Sequence, residues 1–175
     1  HGALCYSFSG QCLLSSMIGG RSGNRGRCAQ PCRLPYTLIK GERTVLREKY
    51  LLSPRDICTL SILPEIIEAG VCSLKIEGRM KNPEYAALTV GIYRKYVDRF
   101  LQNGKENWTV EEQDIRDLMD LYNRGGFSTG YYKTRNGREM MSLDCQSHYG
   151  TAGAKVQRTE KGKTVLTAIE DLNGQ

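Results

Sequence analysis

"GVCSLKIEGRMKNPEYAA", residues 70–87, begins with one periodicity and ends with another, and that change sets the fold class. Val71, Leu74 and Ile76 are apolar, whereas Ser73, Lys75 and Glu77 turn the other way, which predicts a strand ending at Gly78. Asn82 then offers a helix cap with Pro83 at the first helical position. The helix is expected from Pro83 to about Leu101, with Tyr85, Leu88, Ile92, Tyr96 and Phe100 on one face. A strand that feeds directly into a helix is the texture of an α/β chain.

Working outward, the same texture recurs. Tyr50–Leu52 reads as a short strand, followed by a helical stretch, "PRDICTLSILPEIIEAG" (54–70), with Ile57, Leu60, Leu63 and Ile67 at helical spacing. Pro64 is expected to split that stretch and Gly70 to stop it. Thr109 to Glu112 form a capping box opening a helix that ends near Gly125 and Gly126. In the tail, Lys155–Arg158 and Thr164–Ile169 predict two strands joined through Glu160–Lys163. Residues 1–41 read as glycine-rich and irregular, apart from a short element around Gln11–Met17.

The chain has 175 residues, 39% hydrophobic and 25% charged, enough to bury a real core. No apolar run approaches the roughly 18 residues that would span a bilayer, so no membrane partner is expected. The opening residues show no charged-then-apolar leader. Net charge is +6 and unevenly placed: residues 1–41 hold no Asp or Glu, yet carry Arg21, Arg25, Arg27, Arg33 and Lys40. Such asymmetry suits either an anionic partner such as nucleic acid, or a solvated basic face.

The acid-free stretch also holds four cysteines, spaced C-x6-C-x15-C-x3-C at Cys5, Cys12, Cys28 and Cys32. Seven cysteines in all, an odd number, argue against a fully paired secreted framework and for a reducing, cytoplasmic setting. Zinc sites present two tight pairs, and only Cys28/Cys32 is tight. Iron–sulfur clusters accept looser spacing. Glycine N–H groups and arginines could stabilise such a cluster through hydrogen bonds to sulfur. Spacing alone leaves iron–sulfur, zinc, and disulfides or free thiols open. Cys58 and Cys72 lie among apolar residues, and Cys145 has no evident thiol partner.

"HGALCYSFSGQCLLSS" (1–16), "NRGRCAQPCR" (24–33), "YLLSPRDICTL" (50–60), "GVCSLKIEGRMKNPEYAA" (70–87) and "NRGGFSTGYY" (123–132) occur in this order. Together they resemble the collagenase-like peptidase family of the PrtC type, nearly end to end. The resemblance implies the C-terminal part of a TIM-barrel-like (β/α) core, leading into a small β-rich domain. On that basis residues 1–104 are expected to form the last part of the core with its cysteine loop. Residues 105–150 would be a helical connector with a glycine-rich segment, and 151–175 the start of the β domain.

The family name implies proteolysis, but the chain has no HExxH and only two histidines, His1 and His148. Relatives of the family hydroxylate pyrimidines in transfer or ribosomal RNA, or the ubiquinone ring, without molecular oxygen. Their four cysteines hold a four-iron four-sulfur (4Fe-4S) cluster, and by motif these correspond to Cys5, Cys12, Cys28 and Cys32. Cys72 stands where relatives often have an acidic residue, so it is left out of the ligand set. RNA-modifying relatives require prephenate, a dicarboxylate, which Lys75 and Arg79 would suit beside Glu77 at the rim of a barrel. The competing reading of Lys75, Glu77 and Arg79 is a structural ion-pair set. Arg21, Arg25, Arg27 and Arg33 could bind RNA phosphate or shape the cluster loop.

The function expected is therefore prephenate-dependent, oxygen-independent hydroxylation at carbon 5 of a pyrimidine in tRNA or rRNA. A collagen-directed peptidase, and a non-catalytic RNA-binding module with a structural cluster, are the competing expectations.

Overall fold

The computed structural model describes residues 1–7, 11–133, 137–150 and 152–169. Within them the chain is a mixed α/β structure of four helices and three two-stranded sheets. The helices are α1 (Leu14–Gly19), α2 (Leu63–Glu68), α3 (Pro83–Asn103) and α4 (Glu112–Leu121). The strands are β1 (Tyr36–Lys40), β2 (Arg43–Lys49), β3 (Asp56–Ile57), β4 (Phe127–Ser128), β5 (Ala154–Glu160) and β6 (Lys163–Ala168). No helix among the described residues is long and apolar enough to cross a membrane.

Helix α3 forms where its sequence predicts. The Asn82 side chain accepts the Tyr85 N–H at 3.0 Å, satisfying one of the donors that a helix start leaves without a partner. Tyr85, Ile92 and Tyr96 are buried on one face, and Gly104 ends the helix. Replacing Asn82 by Ala should cost about 1 kcal/mol. Urea denaturation of the whole protein, followed by α3 amide protection, should show it; unchanged protection would mean that the cap contributes nothing.

The core gathers Cys58, Leu60, Leu63, Ile92, Tyr93, Tyr96 and Leu118, with Trp108 and Phe127 packed against it. Its polar edges are satisfied internally. Tyr96 donates to Asp114 at 2.6 Å and accepts the Glu111 N–H at 2.8 Å, while Trp108 donates to the Leu60 carbonyl at 3.0 Å. Cys58 is therefore a core residue.

The second structural device is a ladder of short main-chain pairings. β3 and β4 run parallel, Asp56 opposite Phe127 and Ile57 opposite Ser128. Gly2 lies against β3, exchanging hydrogen bonds of 3.0 and 2.8 Å with Ile57, and the Glu77 N–H reaches the His1 carbonyl at 2.8 Å. Gly2 has φ +105°, and a Cβ there would stand 2.4 Å from the Glu77 carbonyl oxygen, so only glycine fits.

Several expectations need correction. Residues 71–75 form no strand; Glu77 bridges to Gly2, and the His1 amine donates to the Lys75 carbonyl at 3.1 Å, a contact too short to make a ladder. Tyr50–Leu52 is a turn rather than a strand, tied to the Leu143 carbonyl through Tyr50. Asp56–Ile57 is strand, so the helical stretch proposed from Pro54 shrinks to a turn at Leu60–Ile62 followed by α2. Pro64 sits in the first turn of α2, where its missing N–H costs nothing, so it starts that helix instead of splitting one.

The region up to Lys40 is not wholly irregular: β1 and β2 make an antiparallel hairpin around Gly41, which has φ +61°. Helix α4 begins at Glu112 without a side-chain cap and ends at Leu121, short of Gly125. Thr109 accepts from Arg99 at 3.3 Å instead of capping. The predicted tail hairpin is β5–β6, one or two residues longer at its turn than the pattern suggested.

Candidate functional site

Three loops meet near the amino end of the chain: residues 4–6, residues 28–33, and the turn 50–56. Arg33 is the clasp. Its Nη1 donates to the Ser53 hydroxyl at 2.7 Å and also to the Pro54 carbonyl, while Nη2 donates to the Leu4 carbonyl at 3.0 Å. The Ser15 hydroxyl in α1 accepts the Ala29 N–H at 2.9 Å, fixing the next turn of the same loop. Tyr131 adds a tie from beyond β4, donating to the carbonyls of Cys5 and Tyr6.

Cys5, Cys12 and Cys28 each lie within electrostatic range of Cys32. All are free thiols. The Cys32 thiol has its pKa raised, first by burial; Arg33 opposes the rise, and Cys28, Cys5 and Cys12 each add to it. The Gln30 N–H points at the Cys28 sulfur at 3.3 Å, the kind of backbone donor that stabilises sulfur-bound charge. Among the described residues, however, no three His, Cys, Asp or Glu side chains are close enough together to hold a metal ion. The donor set suits a thiolate-held cluster in chemistry and neighbourhood, and the thiols would have to draw closer to ligate one.

Beside the thiols lies a charged group that the sequence reading did not single out. Asp56 is almost fully buried, with 2% of its side chain exposed, and is ion-paired with Arg124, itself 11% exposed. Burial raises the Asp56 pKa, against the pull of Arg124, Arg33 and Lys81. Burial likewise lowers Arg33, with Arg124 adding repulsion. Lys81 falls to about 8, from burial and from Arg124. Two cations, Lys81 and Arg124, lie over the Tyr122 ring. Asp56 in "SPRD" and Arg124 in "NRGG" each stand in a turn-rich stretch, which is the available signal for them.

A cavity of about 460 Å³ opens over this group, lined by Arg21, Cys28, Arg33, Tyr122 and Arg124 among others, with no Asp or Glu among the described residues of its wall. Arg21 is held there by its Nε, which donates to the Arg27 carbonyl at 2.9 Å. Arg25 and Arg27 are exposed on the same loop. Lys75, Glu77 and Arg79 fall elsewhere. Lys75 is 84% exposed and pairs loosely with Glu77 at 3.7 Å, and Arg79 is exposed. His148 stacks on Tyr122 and accepts the Asn123 N–H at 3.2 Å, a local structural role.

The chain is similar to several known proteins. The chain is 36% identical to tRNA hydroxylation protein P1 of Bacillus subtilis over 79% of its length, covering 34% of that protein. It is 34% identical to the 23S rRNA 5-hydroxycytidine C2501 synthase of Escherichia coli over 98% of its length, covering 27% of that protein. It is 34% identical to a collagenase of Porphyromonas gingivalis over 94% of its length, covering 44% of that protein. The chain thus spans less than half the length of each of these relatives. No solved structure matches. The profile of Peptidase family U32 matches residues 1–142, which include the cysteine loop, the Arg33 clasp and the Asp56–Arg124 pair, and the chain belongs to that family.

Proposed function

We propose that the protein carrying this chain is an RNA-modifying enzyme that hydroxylates carbon 5 of a pyrimidine in tRNA or rRNA without molecular oxygen, with prephenate as co-substrate. The observation that carries the reading is the set of four free thiols, three of them within electrostatic reach of Cys32, in a stretch with arginines and no acids. The names of the Bacillus and Escherichia relatives support the RNA substrate. Cys5, Cys12, Cys28 and Cys32 would hold a 4Fe-4S cluster, which supplies one-electron chemistry when bound. The chain's own part is to place arginines against anionic substrate groups and to keep the thiols together through Arg33, Ser15 and Tyr131.

The parallel pairing of β3 with β4, with α2, α3 and α4 between them in sequence, supports a piece of a barrel-like core. A peptidase is the second reading, favoured by the name of the Porphyromonas relative. Its weakness is that, among the described residues, no contact joins a histidine to any of the four early thiols: His1 lies in the core against Tyr93 and Phe127, and His148 is stacked on Tyr122. The test is nucleoside mass spectrometry of tRNA and rRNA from cells with and without the gene, beside gelatin cleavage by the purified protein. Loss of a hydroxylated pyrimidine, with gelatin intact, is expected. Gelatin cleavage with unchanged nucleosides would establish the peptidase instead.

A further inference from the structure

The cavity over Asp56 has an imbalance of charge that its own residues do not correct. Arg33, Arg124 and Lys81 all act on the one buried carboxylate, and Arg21 adds a third guanidinium to the cavity wall. Among the described residues no acidic side chain lines the opening. Arg124 also holds its Nε buried without a hydrogen-bond partner, and so does Asp56 its Oδ2. Buried cations in excess, with a donor left over, describe a place where an anion completes the structure.

The cavity also fits the chemistry of an anion. Guanidinium groups bind carboxylate and phosphate through paired parallel N–H donors, and they do so best when their own position is fixed beforehand. Here Asp56 fixes Arg124, the Leu4 and Pro54 carbonyls fix Arg33, and the Arg27 carbonyl fixes Arg21. The Cys28 side chain lies in the same wall.

We infer that this cavity is an oxyanion subsite, in which Arg124 and Arg21 hold a carboxylate or phosphate group beside Cys28 while Asp56 positions Arg124. The inference rests on the function proposed above and moves the seat of the anionic co-substrate away from Lys75 and Arg79, which face solvent. Both possible sources of the anion, a small dicarboxylate and an RNA phosphate, ask the same of these arginines.

The experiment uses the whole protein, prepared without oxygen, and two probes: prephenate followed by calorimetry, and a short RNA stem-loop followed by fluorescence anisotropy. The variants are Arg124→Gln and Arg21→Gln. Arg21 is exposed, so its replacement leaves the fold alone even if that of Arg124 does not. Each is expected to weaken binding of one probe at least tenfold, with iron content and visible absorbance unchanged by Arg21→Gln. Loss confined to prephenate assigns the site to the small dianion. Loss confined to RNA, with a shallower salt dependence, assigns it to a phosphate.

Unchanged affinity for both probes in Arg21→Gln and in folded Arg124→Gln would overturn the inference. So would loss of iron from Arg21→Gln, because the arginines would then serve only the charge of the thiolate cluster. The two proposals fail separately. Hydroxylation by a protein whose anion affinities ignore both substitutions would sink the subsite alone. Weakened anion binding in a protein that modifies no RNA would sink the enzyme reading alone.

Discussion

Replacing Cys28 by Ser in the whole protein is expected to abolish its visible iron–sulfur absorbance and to reduce RNA hydroxylation to background. The effect should be larger than the roughly 10- to 100-fold that follows loss of an outer-shell contact. A serine hydroxyl keeps its proton at neutral pH, so it cannot supply the negative sulfur that an iron–sulfur cluster needs. Cys28 is exposed and, among the described residues, its sulfur receives the Gln30 N–H, so little of the fold depends on it. Cys72→Ser is the matched control, an exposed thiol outside the ligand set, and should change nothing. Iron and sulfide counts on anaerobically purified protein give the answer. Full iron in Cys28→Ser would remove Cys28 from the proposed ligand set.

Replacing Arg124 by Met should destabilise the region joining β3 to β4 by about 3–5 kcal/mol, because it leaves a buried carboxylate without its partner. The measurement is hydrogen exchange of residues 53–58 and 123–128 in the whole protein. The sign of its pH dependence is fixed by Asp56. Burial already raises that carboxyl above its ordinary value, and removing Arg124 raises it further. The folded state then holds a proton that the unfolded state releases, so the deficit is full at neutral pH and narrows as pH falls toward the ordinary aspartate range. Adding Asp56→Asn should recover much of the loss at neutral pH. A deficit below about 1 kcal/mol, or one that grows in acid, would show that the pair is not the buried bond it resembles.

What the sequence disclosed, it disclosed through local rules. Helix α3 follows from Asn82, Pro83 and a regular apolar face, and the β5–β6 hairpin follows from alternating residues around a lysine–glycine turn. The mistakes arose where neighbours decide. Residues 71–77 carry a strand-like pattern, but a strand is made by its partner, and among the described residues the contact is confined to Lys75 and Glu77 against His1 and Gly2. Thr109 has the composition of a cap, yet Arg99 takes its hydroxyl and the helix starts later.

The site divides in the same way. The four cysteines announced themselves by spacing and by the charge around them. Asp56 and Arg124 did not, because their meaning lies in a contact across 68 positions of sequence that no local pattern encodes. Arg33 was picked out for its charge, and the structure gives it a second duty as the tie between three loops.

The tie from Tyr131 to the main chain of Cys5 and Tyr6, and that from Arg124 to Asp56, set an order of events during synthesis. The thiols leave the ribosome about 100 residues before the groups that secure their surroundings. At the usual pace of translation that interval is roughly 5–20 s. Throughout it the Arg33 and Ser15 ties, whose partners all lie at or before Pro54, are the ones that can form, and the thiols lack the tie from Tyr131, open to oxidants and to the wrong metal. A nascent chain stalled before Phe127 would therefore present the four thiols with that last tie missing, while one extended past Tyr131 could complete it.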